Sequence, residues 1–580
     1  MNGNPHITQP ACSRIVVGDS PMMAALGGMR LRREEGATLV LVIIAIAVLA
    51  LGLGTYLQAL GNYRRIDQQR VLDDHALMAA EAGLAEESGT LESMSTPPSS
   101  DVSQVYTLPS ALFAPFENVT VAVHVQTSAG LTYWTLTSTA TCNAAETRGI
   151  PIARRVQVTL DQENFAKYEM FTNNFGGVWT PGYLQFLGAG AIYTGPLHFN
   201  SGVAFWPNFW SLSPVTVSTS GPVNVYSTYN SYVSAVYGNS AANNDVNIMQ
   251  YWDSTYPNAP YFGGGLDIMP QPVTLPSNMS TDPRSAPLVN NAGLVLPDNY
   301  PGYSTAAGPN FVVTLASPSN TVGSGLIAVK QYLGTSNGTP TYGPVLNTTV
   351  TAVNGAMIVR GNIVALSGTL NGHLTIGAFA ASSDPSGGNV NITASVQYNS
   401  KLNYPNFQYP NPASLVNSDG SINNTYVSNV QNQLNSLTDI LGIVAEGNVM
   451  IPQYDLNGNA IAANPSNPIY VDAVVMATGV STSTPGGGGF GVQNELTRPV
   501  GTAYTLGGMV QNTSFSWGLY GSNGITNGLA QNQFWDKRAA QANGAPPFFP
   551  TTGYYSFLAN SWSSSYVASA STPTTYPTLP

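Results

Sequence analysis

The side chains able to do acid–base or charge chemistry are few in this chain. Its 580 residues hold 29 Asp and Glu, 18 Lys and Arg and five His, for a net charge of -11 and a charged fraction of 8%. Ordinary globular proteins carry about 25%. Hydrolysis of a sugar or ester bond needs two converging carboxylates, or a carboxylate beside a base. Beyond residue 165 the densest acidic stretch is Asp245, Asp253 and Asp267, and surface or turn positions account for these residues. His198, in Gly195-Pro196-Leu197-His198-Phe199-Asn200, is the best single catalytic candidate. Its simpler reading is structural, as a side chain that hydrogen-bonds a turn. The two cysteines, Cys12 and Cys142, form no CxxC or Cys/His cluster, so no zinc site is expected. Gly486–Gly489 lacks the strand–helix context and the Lys-Ser/Thr of a phosphate cradle. No catalytic residue, metal or cofactor is assigned, and the chain is not expected to be an enzyme. A carbohydrate-active β-helix enzyme is the alternative kept on the catalytic side.

Binding chemistry is more open. After Tyr168 seven bases (Arg284, Lys330, Arg360, Lys401, Arg498, Lys537 and Arg538) stand against fourteen acids, leaving the region net negative by seven. Phosphate recognition draws mainly on Lys and Arg, so this balance disfavours bulk electrostatic capture of DNA. A local patch at Lys537 and Arg538 beside Trp535 could still act, and Trp206, Phe209 and Trp210 could stack on bases or sugars. These six are the candidate ligand contacts, with DNA or a surface carbohydrate as the ligand class. Core or rim packing is the competing reading of the aromatic residues. The low charge also suits an acidic exterior, because few carboxylates change protonation there.

The element that must position all of this is a helix. Ala37 to Tyr63 contains no charged residue. At 1.5 Å per residue it reaches about 40 Å, enough to cross a bilayer. A secretory signal would have a shorter apolar region and a small-residue cleavage site. Leu39, Val40, Leu41, Ile43, Ile44, Ile46, Leu49 and Leu51 are its expected anchor residues. The basic stretch Met29-Arg30-Leu31-Arg32-Arg33-Glu34-Glu35-Gly36 precedes it, and translation is expected to begin at Met29. The helix is expected to continue through Ala79-Ala80-Glu81-Ala82-Gly83-Leu84, whose small residues let it lie close against a sheet. A breaker-rich loop at 94–101 ends it.

Arg33, Gly36-Ala37-Thr38-Leu39-Val40 and the later Ala79 to Leu84 resemble the PilX-type minor pilins and the related GspK pseudopilins. The resemblance covers about residues 29–90. It implies cleavage by a prepilin peptidase between Gly36 and Ala37. It also implies a single pass through the inner membrane with a cytoplasmic N-terminus, a periplasmic or extracellular ectodomain, and display at the cell surface once assembled in a type IV pilus. Other pilins, the inner-membrane assembly platform and membrane lipid are the implied partners. Two positions depart from the family pattern: Ala37 stands where Phe is usual, and Leu41 where major pilins have Glu. An unpaired buried carboxylate is costly. A subunit without it needs no neighbour ahead of it, which points to the filament tip.

After the helix, Val119, Val121, Val123 and Val125 alternate in a half-buried strand, with His124 on the solvent face. Two further strands, Leu131 to Thr141 and Ile152 to Leu160, complete a small antiparallel sheet ending near residue 165. Beyond it, Val, Ile, Thr, Tyr and Gly favour strands and turns. Short apolar runs such as Ala356 to Arg360, Gly361 to Leu366 and Gly442 to Ile451 are separated by Gly and Asn corners, the pattern of a β-solenoid, with a β-sandwich as the alternative. Val430, Leu434, Leu437 and Leu441 predict a short helix over 427–441. Gly195 to Asn200, Leu441 to Ala445 with Val471 to Ala477, and Pro546 to Tyr554 resemble segments of large pilin-like proteins of the Thermus–Deinococcus kind, the ComZ-like competence pilins. That resemblance implies a β-solenoid joined to a pilin module, with a role in DNA capture for natural transformation.

The expected fold class is therefore α+β: an N-terminal transmembrane pilin helix with a small antiparallel sheet, followed by a large all-β, solenoid-like domain. Expected boundaries are a leader at 1–36, the helix at 37–93, the sheet at 94–165, the β-rich ectodomain at 166–562 and a flexible Ser/Thr/Pro tail at 563–580. The expected function is that of a minor pilin-like protein at the filament tip, serving pilus assembly and surface contact or adhesion.

Overall fold

The computed structural model describes most of residues 37–566; the stretches outside the description include 143–151, 175–184 and 238–260, and residues 175–271 are described mainly as strands. The chain divides into two compact units, residues 1–74 and 75–580. Helix α1 begins in the first and ends in the second, running from Ala37 to Ser93 over 57 residues. From 39 to 68 every residue of α1 is exposed. Its uncharged part, up to Tyr63, is long and apolar enough to cross a membrane.

In the second unit α1 buries a stripe of Ala76, Ala79, Ala80, Leu84, Glu87 and Leu91. Half of these side chains are alanines, and the sheet beneath comes close. A Cβ on Gly83 would fall 2.6 Å from a Val119 methyl and 2.8 Å from Ser138 Oγ. The sheet is antiparallel in the order β1 (Val102–Thr107), β2 (Asn118–Ser128), β3 (Leu131–Cys142) and β4 (Ile152–Asn164). Val119, Val121 and Val123 face inward as the alternation predicts. Three strands become six, however. β1 pairs along β2, and the C-terminal segments Thr551–Phe557 and Ser563–Tyr566 both pair antiparallel with β4. Ser563–Tyr566, expected in a flexible tail, is held by its backbone ladder although its side chains remain exposed. Residues 567–580 lie outside the described residues.

After β4, the strand β5 (Met170–Asn174) enters a ten-stranded sheet in which every pairing is parallel. From β5 the chain steps outward through Leu197–Phe199, Val217–Thr219 and Leu266–Ile268. It then crosses to the opposite edge at Leu294–Leu296. From there it returns through Ala356–Arg360, His373–Phe379, Ile440–Ala445, Val474–Ala477 and Met509–Thr513, and the last of these pairs with β5. Between these visits the chain lays strands into a second sheet of twelve strands. Asn310–Ala316, Asn362–Leu370, Val390–Tyr398, Ile469–Asp472, Gly501–Leu506 and Gly524–Phe534 pair in parallel there, and antiparallel hairpins cover both ends.

The main core lies between the two sheets and includes Met357, Val359, Leu374, Ile376, Leu441, Ile443 and Val475. The other face of the ten-stranded sheet is also covered. Ala356, Ile358, Val444 and Met476 pack with Val273, Met279, Leu288, Phe548 and Phe549. Burial on both faces is why these strands read as unbroken apolar runs. The corners between sheets need glycine: at Gly361 (φ +147°) a Cβ would lie 2.0 Å from the Pro309 carbonyl oxygen.

Beside the glycines runs a spine of asparagines. Asn362 Nδ2 donates to Asn310 Oδ1 at 3.1 Å, Asn389 to Asn362 at 3.1 Å, and Asn448 N to Asn389 Oδ1 at 2.9 Å. Gly488 N donates to Asn448 Oδ1, and Asn512 Nδ2 donates to the Gly487 carbonyl. The spine continues through Asn173 to Asn200, which exchanges two hydrogen bonds with the Val273 backbone. Each amide satisfies turn groups that adjacent strands leave unpaired.

One helix is shorter than its spacing predicts. It spans Asn424–Asn435 and buries Val430 and Leu434. Leu437 lies beyond its end and Leu441 is in a strand, because Asp439 instead accepts from Gly372 N and Ser400 N and fixes the chain as it enters the sheet.

Candidate functional site

Among the described residues, α1 carries a long run of exposed large apolar side chains. Leu39, Val40, Leu41, Ile43, Ile44, Ile46, Leu49 and Leu51 are each between 55% and 72% exposed. None of its most apolar stretch is buried, and it is the single helix among the described residues long and apolar enough to cross a membrane. Ala37 is the first helical residue; Gly36 lies outside the described residues.

The second unit holds α1 by polar contacts as well as by its small-residue stripe. Tyr106 donates to Glu87 Oε2 at 2.5 Å and its oxygen lies 3.2 Å from Thr90 Oγ1. Burial and then the Glu87 contact push the Tyr106 phenol up to about 12. His124 meets Asp101 Oδ2 at 2.7 Å, and the Val125 N–H, together with this histidine, holds the Asp101 carboxyl below its usual range.

His198 is buried, with Nδ1 2.7 Å from Ser218 Oγ and Nε2 2.8 Å from Asn200 Oδ1. Its ring stacks on Phe171 with centroids 5.1 Å apart. Burial pushes it down to about 4, so it is neutral and serves the asparagine spine. Nearby, Glu169 is fully buried and accepts from Thr194 N at 2.6 Å and from Gly195 N. Burial outweighs those two donors and pushes its carboxyl up to about 8.

Of the acidic candidates, Asp245 and Asp253 lie outside the described residues, and Asp267 is described only as a position in the strand Leu266–Ile268. Trp206 and Phe209 also lie outside; Trp210 occupies the short strand Trp210–Ser211. Trp535 is buried against Gly195. Arg538 is buried too, pairing with Asp536 at 2.5 Å and donating to the Leu437 and Asp439 carbonyls. Trp535 and Arg538 thus hold the fold, whereas Lys537 is half-buried. Among the other distal bases, Arg284 pairs with Asp282, Lys401 with Asp472 and Arg360 with Asp298, while Arg498 donates to three carbonyls. Four of the seven bases are therefore held in buried or half-buried contacts and Arg360 in an exposed ion pair, which weakens phosphate recognition further.

Sequence spacing gave no sign of one cluster. Lys401, Tyr409 and Asp472 meet in the interior although Tyr409 and Asp472 are 63 residues apart in sequence. The rings of Tyr409, Tyr470 and Tyr504 stack beside them at 4.8 to 5.4 Å. Their faces are turned toward one another, which leaves less face for a sugar or base. A cleft of about 380 Å³ lies where α1 ends, lined by Glu92, Met94, Gln162, Asp282, Arg284 and Tyr554 among others. The Arg284 guanidinium there is already occupied by Asp282, Thr274 and the Leu275 carbonyl.

No family model matches the chain, and neither does any curated protein. Among solved structures it is similar to the crystal structure of the competence-associated pilin ComZ from Thermus thermophilus, at 13% identity and a TM-score of 0.26, over 85% of this chain and 98% of that one. A superposition of that quality fixes neither fold nor function.

Proposed function

We propose that this chain is a membrane-anchored, pilin-like subunit of a type IV pilus or related secretion filament, with an interaction role rather than a catalytic one. One observation carries the reading. A single continuous helix is uncharged and wholly exposed in its first half, and in its second half packs its small residues on an antiparallel sheet. Such a helix suits two successive environments, lipid before assembly and the helices of other pilins afterwards. The basic segment ending at Gly36 supports cleavage by a prepilin peptidase, with Ala37 as the first mature residue. Leu41 in place of an acid supports a minor subunit at the filament tip, where a bulky domain meets no packed shaft.

The chain's repeated passage between a parallel sheet and the parallel middle of a mixed one, together with the asparagine spine, supports reading the distal region as a β-solenoid. Such a rigid body, poor in charge, suits surface contact through neutral hydrogen bonds and apolar area. The test is the N-terminus of the protein recovered from cells that contain a prepilin peptidase. An N-terminus at Ala37, lost in the Gly36→Val variant, supports the proposal. An N-terminus upstream of Gly36 in both proteins contradicts processing.

A further inference from the structure

Buried charges gather where the helix Asn399–Leu402, the strand Ile469–Asp472 and the turn Lys537–Ala540 meet. Most are held in conventional ways. Asp439 accepts two backbone N–H groups, and Asp536 pairs with Arg538. Asp472 also accepts from Tyr398 N at 2.9 Å, but it and Lys401 form a buried lysine–carboxylate pair. The lysine side chain is 4% exposed and the aspartate 0%, and Nζ lies 2.7 Å from Oδ2. Tyr409 bridges them, accepting from Lys401 Nζ and donating to Asp472 Oδ1. Aromatic rings wall the site: Nζ lies 4.3 Å from the centre of the Tyr409 ring, 5.0 Å from that of Tyr470 and 6.0 Å from that of Phe407.

An ion pair so dry is poorly repaid by its own attraction. Burial, opposed by Asp472, pushes the Lys401 ammonium down, toward the neutral amine that is a nucleophile. The nitrogen touches a carboxyl oxygen that is itself bonded to Cγ, so the two groups to be joined are in direct contact in a dry site.

We propose that Lys401 and Asp472 are joined after folding by an isopeptide bond between Nζ and Cγ. One proton passes from the ammonium to the carboxylate, giving amine and acid. The nitrogen lone pair then attacks Cγ, and the new N–C bond forms as a C–O bond breaks. Tyr409 relays a second proton from the nitrogen to the departing oxygen, which leaves as water. Ammonium plus carboxylate becomes amide plus water, with no change of oxidation state and no further reactant. Tyr409 touches both reacting groups and acts as general acid and base. The product removes two buried charges and ties neighbouring coils, since Val390–Tyr398 and Ile469–Asp472 are paired strands. Cys142, the cysteine among the described residues, forms no disulfide, and this amide does the work of one by closing a loop of the unfolded chain.

The test is the mass of the full-length protein under denaturing conditions, followed by a tryptic map. The chain should be lighter by one water, about 18 Da, than the mass calculated from the N-terminus it carries. A branched peptide containing Lys401 and Asp472 should replace cleavage after Lys401. Lys401→Arg and Asp472→Ala should restore the full mass, and Tyr409→Phe should give a mixture of linked and unlinked chains. A wild-type chain of full mass that is cut after Lys401 overturns the proposal, as does a water loss with no branched peptide. The decisive reading is on the wild-type protein and survives any folding failure of the variants.

Discussion

Asn173 Nδ2 donates to Asn512 Oδ1 at 2.7 Å across 339 residues of sequence. This bond ties the first strand of the ten-stranded sheet to the last, because β5 pairs with Met509–Thr513. Both ends of the distal region therefore meet beside the antiparallel sheet, which also receives the C-terminal strands.

Asn512→Ala removes that bond and a second one to the Gly487 carbonyl. The expected cost is about 1–3 kcal/mol. Thermal melting of the detergent-solubilised chain reads it. Combined with Asn173→Ala, the loss should be less than the sum of the two single effects, because both changes break one interaction.

Gly83 and Gly89 lie on the same helix in different surroundings. A Cβ at 83 meets Val119 and Ser138, whereas nothing lies within 4 Å at 89. Gly83→Ala is expected to destabilise by about 1–3 kcal/mol through overpacking. Gly89→Ala should stabilise by about 0.5–1 kcal/mol through helix propensity. Opposite shifts in melting temperature check both.

The Glu169 carboxyl is raised from 4.5 to about 8 by burial. The folded chain thus holds this proton more tightly than the unfolded one. The stability it contributes is fully present below pH 4.5 and is lost as pH rises to about 8. Melting temperature measured across that window should fall with pH in the wild type. Glu169→Gln should remove that part of the slope.

His198 runs the other way. Burial lowers it from 6.5 to about 4, so its contribution is present above pH 6.5 and is lost as pH falls through about 4. His198→Gln is expected to lower stability at neutral pH, by loss of contacts to Ser218 and Phe171, and to lessen the further loss on acidification. Unfolding curves at neutral, mildly acidic and strongly acidic pH separate the two effects.

The helix and the strand β2 were legible because a single local pattern specifies each, an uncharged run in one and strict alternation in the other, and β3 and β4 followed as strands beyond the turn at 128–130. The distal strands were legible as short apolar runs broken at Gly-Asn corners. Their pairing was not, since partners such as β5 and Met509–Thr513 share no local signal. The C-terminal strands were missed for a similar reason. Ser563–Tyr566 is exposed and polar in composition, and its backbone pairing with β4 and the Arg154 guanidinium over the Tyr566 ring leave no local sequence pattern. The role of His198 was legible as structural, but its partner Ser218 was not. The site at Lys401, Tyr409 and Asp472 left no trace in the sequence, because ordinary surface residue types became chemically unusual only when folding removed water from them.

Membrane anchoring through the exposed half of α1 underlies the whole functional reading, and alkaline carbonate extraction of membranes from cells making the full chain tests it most directly. The wild-type protein is expected to stay in the membrane pellet, while a chain carrying Ile46→Arg, Leu49→Arg and Leu51→Arg together is expected in the supernatant. Release of the wild-type chain into the carbonate supernatant would contradict anchoring, and with it the pilin-like assignment.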